Sequence, residues 1–261
     1  MRKNKAETGT DYGNWISWRL IAAAAVGSGL FFVPVPILDR GFLGWISLTI
    51  ALLFAASTLY LLLARISFSK NRGELQSRIR GLVLANLEWN GQGKVLDIGC
   101  GNGPLSIELA RKYPESRVTG VDYWGAKWEH SRETCRDNAR AEGVSGQVVF
   151  ERADAASLPF ADGSFEAAVS NMVFHEVKKA KDKREVLKEA LRVVKKGGAF
   201  AFQDLFSVKR IYGDLESLMA ELKEYGVEEV RFEDSGRSEF IPAFLRRPFM
   251  FGWIGIIHGR R

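Results

Sequence analysis

The chain has 261 residues, a net charge of +6 and 46% hydrophobic residues, which bounds it to one or two domains. The charge is uneven, because residues 1–80 contain ten Lys/Arg against four Asp/Glu while residues 81–261 contain 27 of each. A nucleic-acid-binding domain usually carries its own basic excess, so the neutral second part argues against a nucleic-acid partner. The basic residues instead flank apolar segments, which is typical of proteins at a membrane surface.

The two cysteines, Cys100 and Cys135, are far apart in the sequence and show no metal-ligand spacing. We therefore predict no disulfide framework and no metal site. A reduced, cytosolic setting for the globular part follows from the same observation.

Two uncharged apolar windows lie near the start of the chain, at 20–38 and 42–64. Each is close to the length of about 20 apolar residues that a helix needs to cross a bilayer. We predict a transmembrane hairpin within 15–66, preceded by a tail at 1–14. Lys and Arg lie mainly outside the pair, so the positive-inside rule places both termini and the downstream domain in the cytoplasm, with the protein in the cell membrane.

Three other interpretations of these windows are a cleaved signal peptide, a buried core hairpin and a shallow re-entrant hairpin. A cleaved signal peptide has a shorter apolar region and is not followed directly by a second one. A buried core hairpin would show polar faces, which neither window has. Pro34 and Pro36 would kink the outer end of the first window, so a shallow re-entrant hairpin is the third alternative.

Strands and helices alternate after a linker and short amphipathic helix within 67–92. The pattern predicts strands at 94–99, 116–122, 147–154, 164–172, 197–206, 228–234 and 251–259. It predicts helices at 82–89, 104–113, 125–143, 183–194 and 213–226. This alternation predicts an α/β fold over 93–261, with a doubly wound, parallel, seven-stranded sheet and helices on both faces.

The first of these strands runs into KVLDIGCGNG, where an acid is followed by three glycines. Ligands of such sheets bind at the carboxyl ends of the strands, near the point where the strand order reverses, and we place this turn there. The glycines let the backbone approach a ligand closely, and Pro104 begins a helix whose free N–H groups attract an anion. Asp122, at the end of the next strand, can accept both hydroxyls of a ribose.

A dinucleotide site would use a related glycine pattern, but its third glycine would fall on Pro104. The preceding acid, Asp97, would also repel a pyrophosphate. An acid there suits a ligand with a positive amine, so the turn fits an amino-acid-bearing nucleoside better than NAD.

VLDIGCGNG resembles the first motif of class I S-adenosylmethionine-dependent methyltransferases. VTGVD, then ADAASLPFADGSFEAAVSNMVFHEV, then LRVVKKGGAFAFQDL resemble the later motifs in the same order, so the resemblance covers about 94–206. It is strongest with the small-molecule group that includes ubiquinone and menaquinone methyltransferases. The resemblance implies a Rossmann-like fold, S-adenosylmethionine as cofactor and a small-molecule methyl acceptor.

The resemblance also implies cofactor contacts by position. Asp97 and the backbone of 99–103 would hold the methionine part, Asp122 would bind the ribose, and Tyr123 would cover the adenine. The glycine-turn residues concerned are Gly99, Cys100, Gly101 and Gly103.

Residues of the later motifs would complete the cofactor site. Asp154 would contact the adenine amino group with Ala155 beside it, and Asn171 would border the methyl-transfer site. Relatives often carry two adjacent histidines after the fourth strand, whereas this chain has His175 followed by Glu176. That departure weakens any expectation of histidine-pair chemistry.

Methyl transfer is an in-line displacement from a sulfonium with a neutral leaving group, so alignment and exclusion of water dominate catalysis. A general base is needed only when the acceptor holds a proton. His175 is the first candidate for this base, Glu176 the second and Asp204 the third, with a loop cap as the alternative role of Asp204. We expect His130 to be a surface residue and His258 to be structural.

Three further segments carry expectations of their own. YWGAKW at 123–128 is a candidate wall of an apolar acceptor pocket. The basic run at 178–196 is a solvated helix face or a lipid-facing one. The segment 239–253 places apolar residues around two arginines, as in a membrane-interface patch or a core-capping loop.

These observations favour a membrane-anchored methyltransferase whose acceptor is a small lipophilic molecule and whose partner is the lipid bilayer. Two alternatives stay open: a membrane protein that binds the cofactor without transferring the methyl group, and a protein methyltransferase.

Overall fold

The structure is a computed structural model that describes residues 9–34, 41–69, 75–125, 131–248 and 250–261. The chain divides into two compact units. One is Asn14–Ser77, and the other joins Met1–Gly13 to Arg78–Arg261. The residues that precede the apolar helices therefore belong to the same unit as the α/β domain.

The helices and strands alternate through the second unit as the sequence pattern indicates. The helices are α1 (Trp18–Phe32), α2 (Phe42–Ser67), α3 (Leu75–Ala85), α4 (Pro104–Lys112), α5 (Arg132–Ala141), α6 (Lys183–Arg192), α7 (Lys209–Tyr212) and α8 (Leu215–Glu224). The strands are β1 (Gly93–Ile98), β2 (Ser116–Asp122), β3 (Val148–Arg152), β4 (Phe165–Asn171), β5 (Val194–Asp204), β6 (Glu229–Glu233) and β7 (Gly255–Arg260).

Helices α1 and α2 form an antiparallel pair whose contact surface is built from small and polar residues. Ser28 Oγ donates to the carbonyl of Ala51 at 3.1 Å, and Ser47 Oγ donates to the carbonyl of Phe31 at 2.6 Å. A Cβ on Gly27 would lie 2.8 Å from the ring of Phe54, so only glycine allows this close approach. Small residues at the interface bring the two backbones together.

Many large apolar side chains of the pair point away from this contact, with Phe54 on Gly27 as an exception. Exposed fractions are 69% for Leu30, 79% for Phe42 and 64% for Leu53, and only 11% of the most apolar window of α2 is buried. This arrangement is the reverse of a water-soluble hairpin, in which large apolar residues are buried and small polar ones are exposed.

Only α2, among the described helices, is long and apolar enough to cross a membrane. Helix α1 has 15 residues and ends at Phe32, short of the predicted window end at 38. Pro34 follows directly and has no N–H to continue the helical hydrogen bonds. Residues 35–40 lie outside the described part of the chain.

The α/β unit contains a seven-stranded sheet in the order β3-β2-β1-β4-β5-β7-β6. Strands β1 to β5 pair in parallel, so the predicted fold class is confirmed there. The prediction of a wholly parallel sheet is wrong for β7, which runs antiparallel to both β5 and β6. The connection between β6 and β7 spans residues 234–254, and its described residues form two short 3-10 helices, Ser235–Arg237 and Ala243–Leu245, with no α-helix to serve as the usual crossover of a parallel pair.

Alternation along β5 shows how the sheet separates two hydrophobic layers. Phe200 and Phe202 face the layer that contains α6 and α8, whereas Ala199 and Ala201 face the layer that contains α4 and α5. Successive strand side chains point to opposite faces, so GGAFAFQD places bulky rings on one side and small residues on the other.

Several predicted boundaries moved. The amphipathic helix predicted at 82–89 is α3, which begins at Leu75 and ends at Ala85. The helix predicted at 125–143 is described only from α5 onward, where Ser131 caps it by accepting the N–H of Thr134 at 3.0 Å. Residues 126–130, including Trp128 and His130, lie outside the described residues.

Candidate functional site

The glycine turn lies at the carboxyl end of β1, between β2 on one side and β4 on the other. Strand order reverses between β1 and β4, so the turn lies at the switch point where sheets of this kind bind ligands, and we call this edge of the sheet the crevice. The N–H groups of Gly99 and Cys100 both donate to the carbonyl of Val121, at 2.7 and 2.9 Å. Gly99 has φ +76°, and a Cβ there would lie 2.2 Å from Val173, so the turn requires glycine at this position.

The end of the turn begins helix α4. Gly103 is the N-cap, with φ +83°, and Pro104 occupies the first helical position. The free N–H groups of this helix end therefore open toward the crevice beside β1.

Asp122 ends β2 and holds the glycine turn by its carboxylate. Its two oxygens accept the N–H groups of Gly101 and Trp124, each at 2.9 Å. A carboxylate oxygen accepts about two hydrogen bonds, so both oxygens keep capacity for hydroxyls of a ligand.

The carbonyl of Gly101 is held from the other side. It accepts the indole N–H of Trp124 at 2.9 Å and the thiol of Cys135 at 3.1 Å. Trp124 has the uncommon φ of +43°, which directs its ring onto the turn. This tryptophan, predicted to line an acceptor pocket, therefore braces the cofactor turn.

The two cysteines, far apart in the sequence, meet beneath this turn. Burial, and then a hydrogen bond with Cys135, raises the pKa of the Cys100 thiol. Both thiols are buried, and a neutral buried thiol packs without acting as a nucleophile.

Asp97 lies below the turn, 1% exposed, and accepts the hydroxyl of Ser106 at 2.6 Å. Burial raises its pKa to about 7, and the negative charge of Asp122 adds to the rise. Because the Asp97 carboxyl is buried, it affects a ligand in the crevice through its charge. The side of the turn that faces the crevice consists of backbone.

We expect cofactor affinity to depend on the protonation of Asp97. A positively charged ligand favours the ionised carboxyl, whose fraction rises from about a tenth at pH 6 to about nine tenths at pH 8. The dissociation constant of S-adenosylmethionine should therefore fall severalfold over that range, measured by calorimetry. Asp97→Asn should flatten this dependence, and an unchanged pH dependence in Asp97→Asn would refute the assignment.

The same pKa has a consequence for stability. The folded protein holds the proton between pH 3.8 and about 7, while the unfolded chain releases it. Asp97 therefore lowers the free energy of unfolding as pH rises through this range.

Tyr123 and Asp154 mark the predicted adenine end of the crevice. Lys179 Nζ lies 2.8 Å from Asp154 Oδ2 and 6.0 Å from the centroid of the Tyr123 ring, so it links the two. Tyr123 is 53% exposed and therefore available to stack on a ring.

The Asp154 carboxylate is ionised and oriented by its neighbours. Its other oxygen accepts the N–H of Ala156 at 3.0 Å, which also positions Ala155 on the same turn. Burial acts to raise the pKa of Asp154, but the bonds from Lys179 and Ala156 outweigh it and the pKa is lowered.

Asn171 ends β4 at the edge of the same crevice. Its buried Oδ1 accepts no hydrogen bond from any residue that the structure describes. Met172, which follows, has φ +59° and donates its N–H to the carbonyl of Gln203 at 2.8 Å. An unpartnered buried oxygen is costly unless a ligand supplies the donor.

The cofactor implied by the resemblance fits these residues. Asp122 has spare acceptor capacity at the end of β2, the start of α4 offers N–H groups, and Asn171 lacks a donor. A ribose, a carboxylate and an amine match these three features in turn.

His175 and Asp204 form a hydrogen-bonded pair beyond the end of β4. His175 Nδ1 lies 2.7 Å from Asp204 Oδ1, and Asp204 is fully buried. Asp204 also accepts the N–H of Phe174 at 2.8 Å and that of Leu205 at 2.7 Å, which fixes its carboxylate. Asp204 is therefore both the loop cap considered from the sequence and the partner of the imidazole.

This pairing orients the imidazole for proton transfer. With Nδ1 bonded to the carboxylate, Nε2 is the nitrogen left to accept a proton, and it lies 3.9 Å from Glu176 Oε1. Burial acts to lower the pKa of His175, but the bond to Asp204 outweighs it, so the pKa is raised above 6.5. An imidazole with a raised pKa is a stronger base.

The other histidine among the described residues, His258, is in a different environment. His258 lies on β7, and burial lowers its pKa. Its pairing register on β7, opposite Ala201, places it in the sheet, in agreement with the structural role predicted.

The charged run at 178–196 is used largely in ion pairs. Arg184 Nη1 and Lys188 Nζ contact Glu221 at 2.7 and 2.9 Å, and Arg192 contacts Glu189 at 2.8 Å. The segment 239–253 contributes buried Ile241, Leu245 and Phe251 to the fold, whereas Trp253 is 42% exposed. Both segments therefore include structural roles.

Most of the site lies within a part of the chain that matches a known family. Residues 95–198 match the family described as "Methyltransferase domain". A 27-O-demethylrifamycin SV methyltransferase of Amycolatopsis mediterranei (strain S699) is 32% identical over 153 residues, covering 59% of this chain and 53% of that protein. The ubiquinone/menaquinone biosynthesis C-methyltransferase UbiE of Geobacter sp. (strain M21) is 31% identical over 125 residues, covering 48% and 50%.

The chain spans about half the length of the curated relatives it matches. The solved structure of a geranyl diphosphate methyltransferase in complex with SAM superposes with a TM-score of 0.54 at 15% identity, covering 72% of this chain and 86% of that one. At this identity the likeness shows a shared fold.

Proposed function

We propose that the chain is a membrane-anchored class I methyltransferase that takes S-adenosylmethionine as methyl donor and acts on a small lipophilic acceptor bearing an acidic hydroxyl. Residues 95–198, which match the methyltransferase-domain family, would carry the donor site. The bound donor supplies an electrophilic methyl group on a sulfonium. The chain's own residues bind the donor, exclude water and hold the acceptor proton.

The observation that carries the acceptor proposal is the His175–Asp204 pair. A buried carboxylate that orients an imidazole and raises its pKa serves an acceptor that must lose a proton. His175 Nε2 would accept the hydroxyl proton of the acceptor, which leaves the acceptor oxygen with the electron pair that bonds to the donor's methyl group. Asp204 stabilises the imidazolium that forms.

The relatives support the size and chemistry of this acceptor. One acts on 27-O-demethylrifamycin SV, and another belongs to ubiquinone/menaquinone biosynthesis. Both names are those of methyltransferases that act on small molecules, which supports a small-molecule acceptor for this chain.

The inverted packing of α1 and α2 supports the membrane part of the proposal. Ser28 and Ser47 bond across the contact, while large apolar residues cover the outside. In lipid, exposed apolar side chains cost nothing and buried polar ones find partners, so this pattern suits a bilayer.

Chain connectivity supports a hairpin within the membrane. Residues 9–13 and the domain from Arg78 onward belong to one compact unit, so the proposal requires both ends of the helix pair to lead to the same side of the membrane. An even number of crossings, or a re-entrant pair, is the topology that meets this condition. Because Lys and Arg flank the pair, we place this side in the cytoplasm.

The end of the pair nearest the methyltransferase domain in sequence has the features of an interface. The Arg65 guanidinium lies 4.4 Å from the centroid of the Trp18 ring, and Asn14 Nδ2 donates to the carbonyl of Arg65 at 2.9 Å. Tryptophan and arginine are favoured at the headgroup level, so these residues fit the cytoplasmic membrane surface.

Replacing residues 14–74 by a Gly/Ser linker of equal length tests this anchor while leaving 9–13, α3 and the catalytic unit intact. We expect the full chain to stay in the membrane pellet after alkaline extraction and the linker variant to move to the supernatant. Turnover of an acceptor dissolved in vesicles should fall by about 10²-fold, because the local concentration of enzyme is lost.

The control for this experiment is the same acceptor presented in detergent micelles, where both proteins should turn over alike. Equal rates in vesicles would contradict the anchor's role. Loss of S-adenosylmethionine binding in the linker variant would instead show that the helices form part of the cofactor site.

A further inference from the structure

Residues 9–13, immediately before the first apolar helix, pack on the methyltransferase unit beside the glycine turn. No sequence motif marks this segment, and the predicted cofactor contacts do not include it. We call it the N-terminal clasp.

The buried amide of Asn138 on α5 holds the clasp by its main chain. Asn138 Oδ1 accepts the N–H of Asp11 at 2.8 Å, and Asn138 Nδ2 donates to the carbonyl of Asp11 at 2.8 Å. Such two-way bonding fixes both the position and the direction of the clasp. Asn138 is 3% exposed, so the alternative to these bonds is an unsatisfied buried amide.

A second buried amide joins the clasp to the glycine turn itself. Asn102, 3% exposed, lies between Gly101 and Gly103, and its Nδ2 donates to the same Asp11 carbonyl at 3.2 Å. Its Oδ1 accepts the N–H of Ser131 at 3.2 Å, at the start of α5. Asn138 Nδ2 also donates to the main-chain carbonyl of Asn102 at 2.9 Å.

The rest of the clasp is anchored at the C-terminal end of α5 and by a bond within the clasp itself. The Tyr12 hydroxyl donates to Glu142 Oε1 at 3.1 Å, and burial raises the pKa of that hydroxyl. The Asp11 carboxylate accepts the N–H of Gly13 at 3.1 Å, which shapes the turn that leads to the first apolar helix.

We propose that the clasp positions the glycine turn for S-adenosylmethionine, through the contacts of the Asp11 main chain with Asn138 and Asn102. Gly101 and Asn102 supply backbone to the cofactor cradle, and their placement depends on a segment about ninety residues earlier in the chain. The cofactor site is therefore complete only when the N-terminal clasp, which precedes the helix pair, packs against the glycine turn and α5, which follow it.

Two deletions in the full chain test this proposal. Removing 2–12 should raise the dissociation constant of S-adenosylmethionine at least tenfold and speed amide hydrogen exchange at Gly101 and Asn102 in the ligand-free protein. The KM for the cofactor should rise likewise, with kcat at saturation within twofold. Removing only 2–8, which leaves the clasp, is the matched control and should change neither. If both deletions gave the same affinity and exchange, the proposal would be overturned.

A pair of point variants isolates the main-chain contact. Asp11→Pro removes the N–H that Asn138 accepts, whereas Asp11→Ala keeps it and removes only the carboxylate. We expect Asp11→Pro to show most of the loss of affinity caused by removing 2–12, and Asp11→Ala to stay within about threefold of the unchanged protein. If both variants lost affinity equally, the effect would come from the Asp11 side chain. If neither variant lost affinity, the clasp would not contribute to cofactor binding. Either result would refute the proposal.

Discussion

We expect His175→Ala to bind S-adenosylmethionine normally and to lower kcat by about 10²–10⁴-fold, the usual worth of a positioned general base. The imidazole lies beyond β4 and outside the glycine turn, so its loss leaves the donor contacts in place. Its Nδ1 is fixed by Asp204 at 2.7 Å, which leaves Nε2 as the proton acceptor. The measurement is steady-state kinetics with calorimetric cofactor binding on the same preparation.

The pH profile separates a base from a packing residue. Asp204 raises the pKa of His175, so kcat should rise with pH through a value above 6.5 and then level off. Asp204→Asn removes the negative charge, so the rise should move to lower pH while the plateau falls. Thermal unfolding must accompany this variant, because Asp204 also caps the Phe174 and Leu205 N–H groups.

Glu176→Gln is the matched control for this pair. Its carboxylate lies 3.9 Å from His175 Nε2, so its charge contributes less than that of Asp204, and kcat should change less than fivefold. Full activity in His175→Ala, or an acid limb that does not move in Asp204→Asn, would show that the acceptor needs no base from this chain.

The second large effect is expected at the ribose end. Asp122→Ala should weaken S-adenosylmethionine binding by about 10²-fold or more, since two hydrogen bonds to a charged acceptor contribute about 3 kcal/mol or more together. The variant also frees the Gly101 N–H, which Asp122 holds at 2.9 Å, so the turn itself loosens.

Asp122→Asn distinguishes these two contributions. The amide oxygen can accept only one of the two backbone N–H groups, and its NH₂ cannot accept a hydroxyl. We expect an intermediate loss of affinity with a nearly unchanged unfolding temperature. If Asp122→Ala kept normal affinity, the cofactor would not lie along the β1–β2 edge.

Much of this site could be predicted from the sequence because it is local. The glycines of the turn must adopt positive φ between a buried strand and a helix. The ten consecutive residues KVLDIGCGNG are enough to indicate this requirement. Asp122 and Asn171 end parallel strands, and the alternation of elements alone brings those ends together.

The remaining features depend on contacts between distant segments, which a single sequence does not display. Asp204 meets His175 only because β5 lies beside β4, and Lys179 reaches Asp154 across the crevice mouth. In the sequence, Asn138 is an ordinary polar residue of α5. Its contact with the Asp11 main chain is visible only in the folded structure. The direction of β7 was likewise hidden, since an apolar strand looks the same in either sense.

Transfer of a labelled methyl group in membranes tests whether the chain methylates a lipid-soluble acceptor. Membranes containing the protein are incubated with S-adenosylmethionine labelled on its methyl group, quinol and phenol acceptors are added, and the products are separated into solvent-extractable lipid, protein and water-soluble fractions. We expect label in the solvent-extractable fraction, and we expect Asp122→Ala and His175→Ala to remove it. Label confined to protein, or tight cofactor binding with no label transferred under any acceptor, would contradict it.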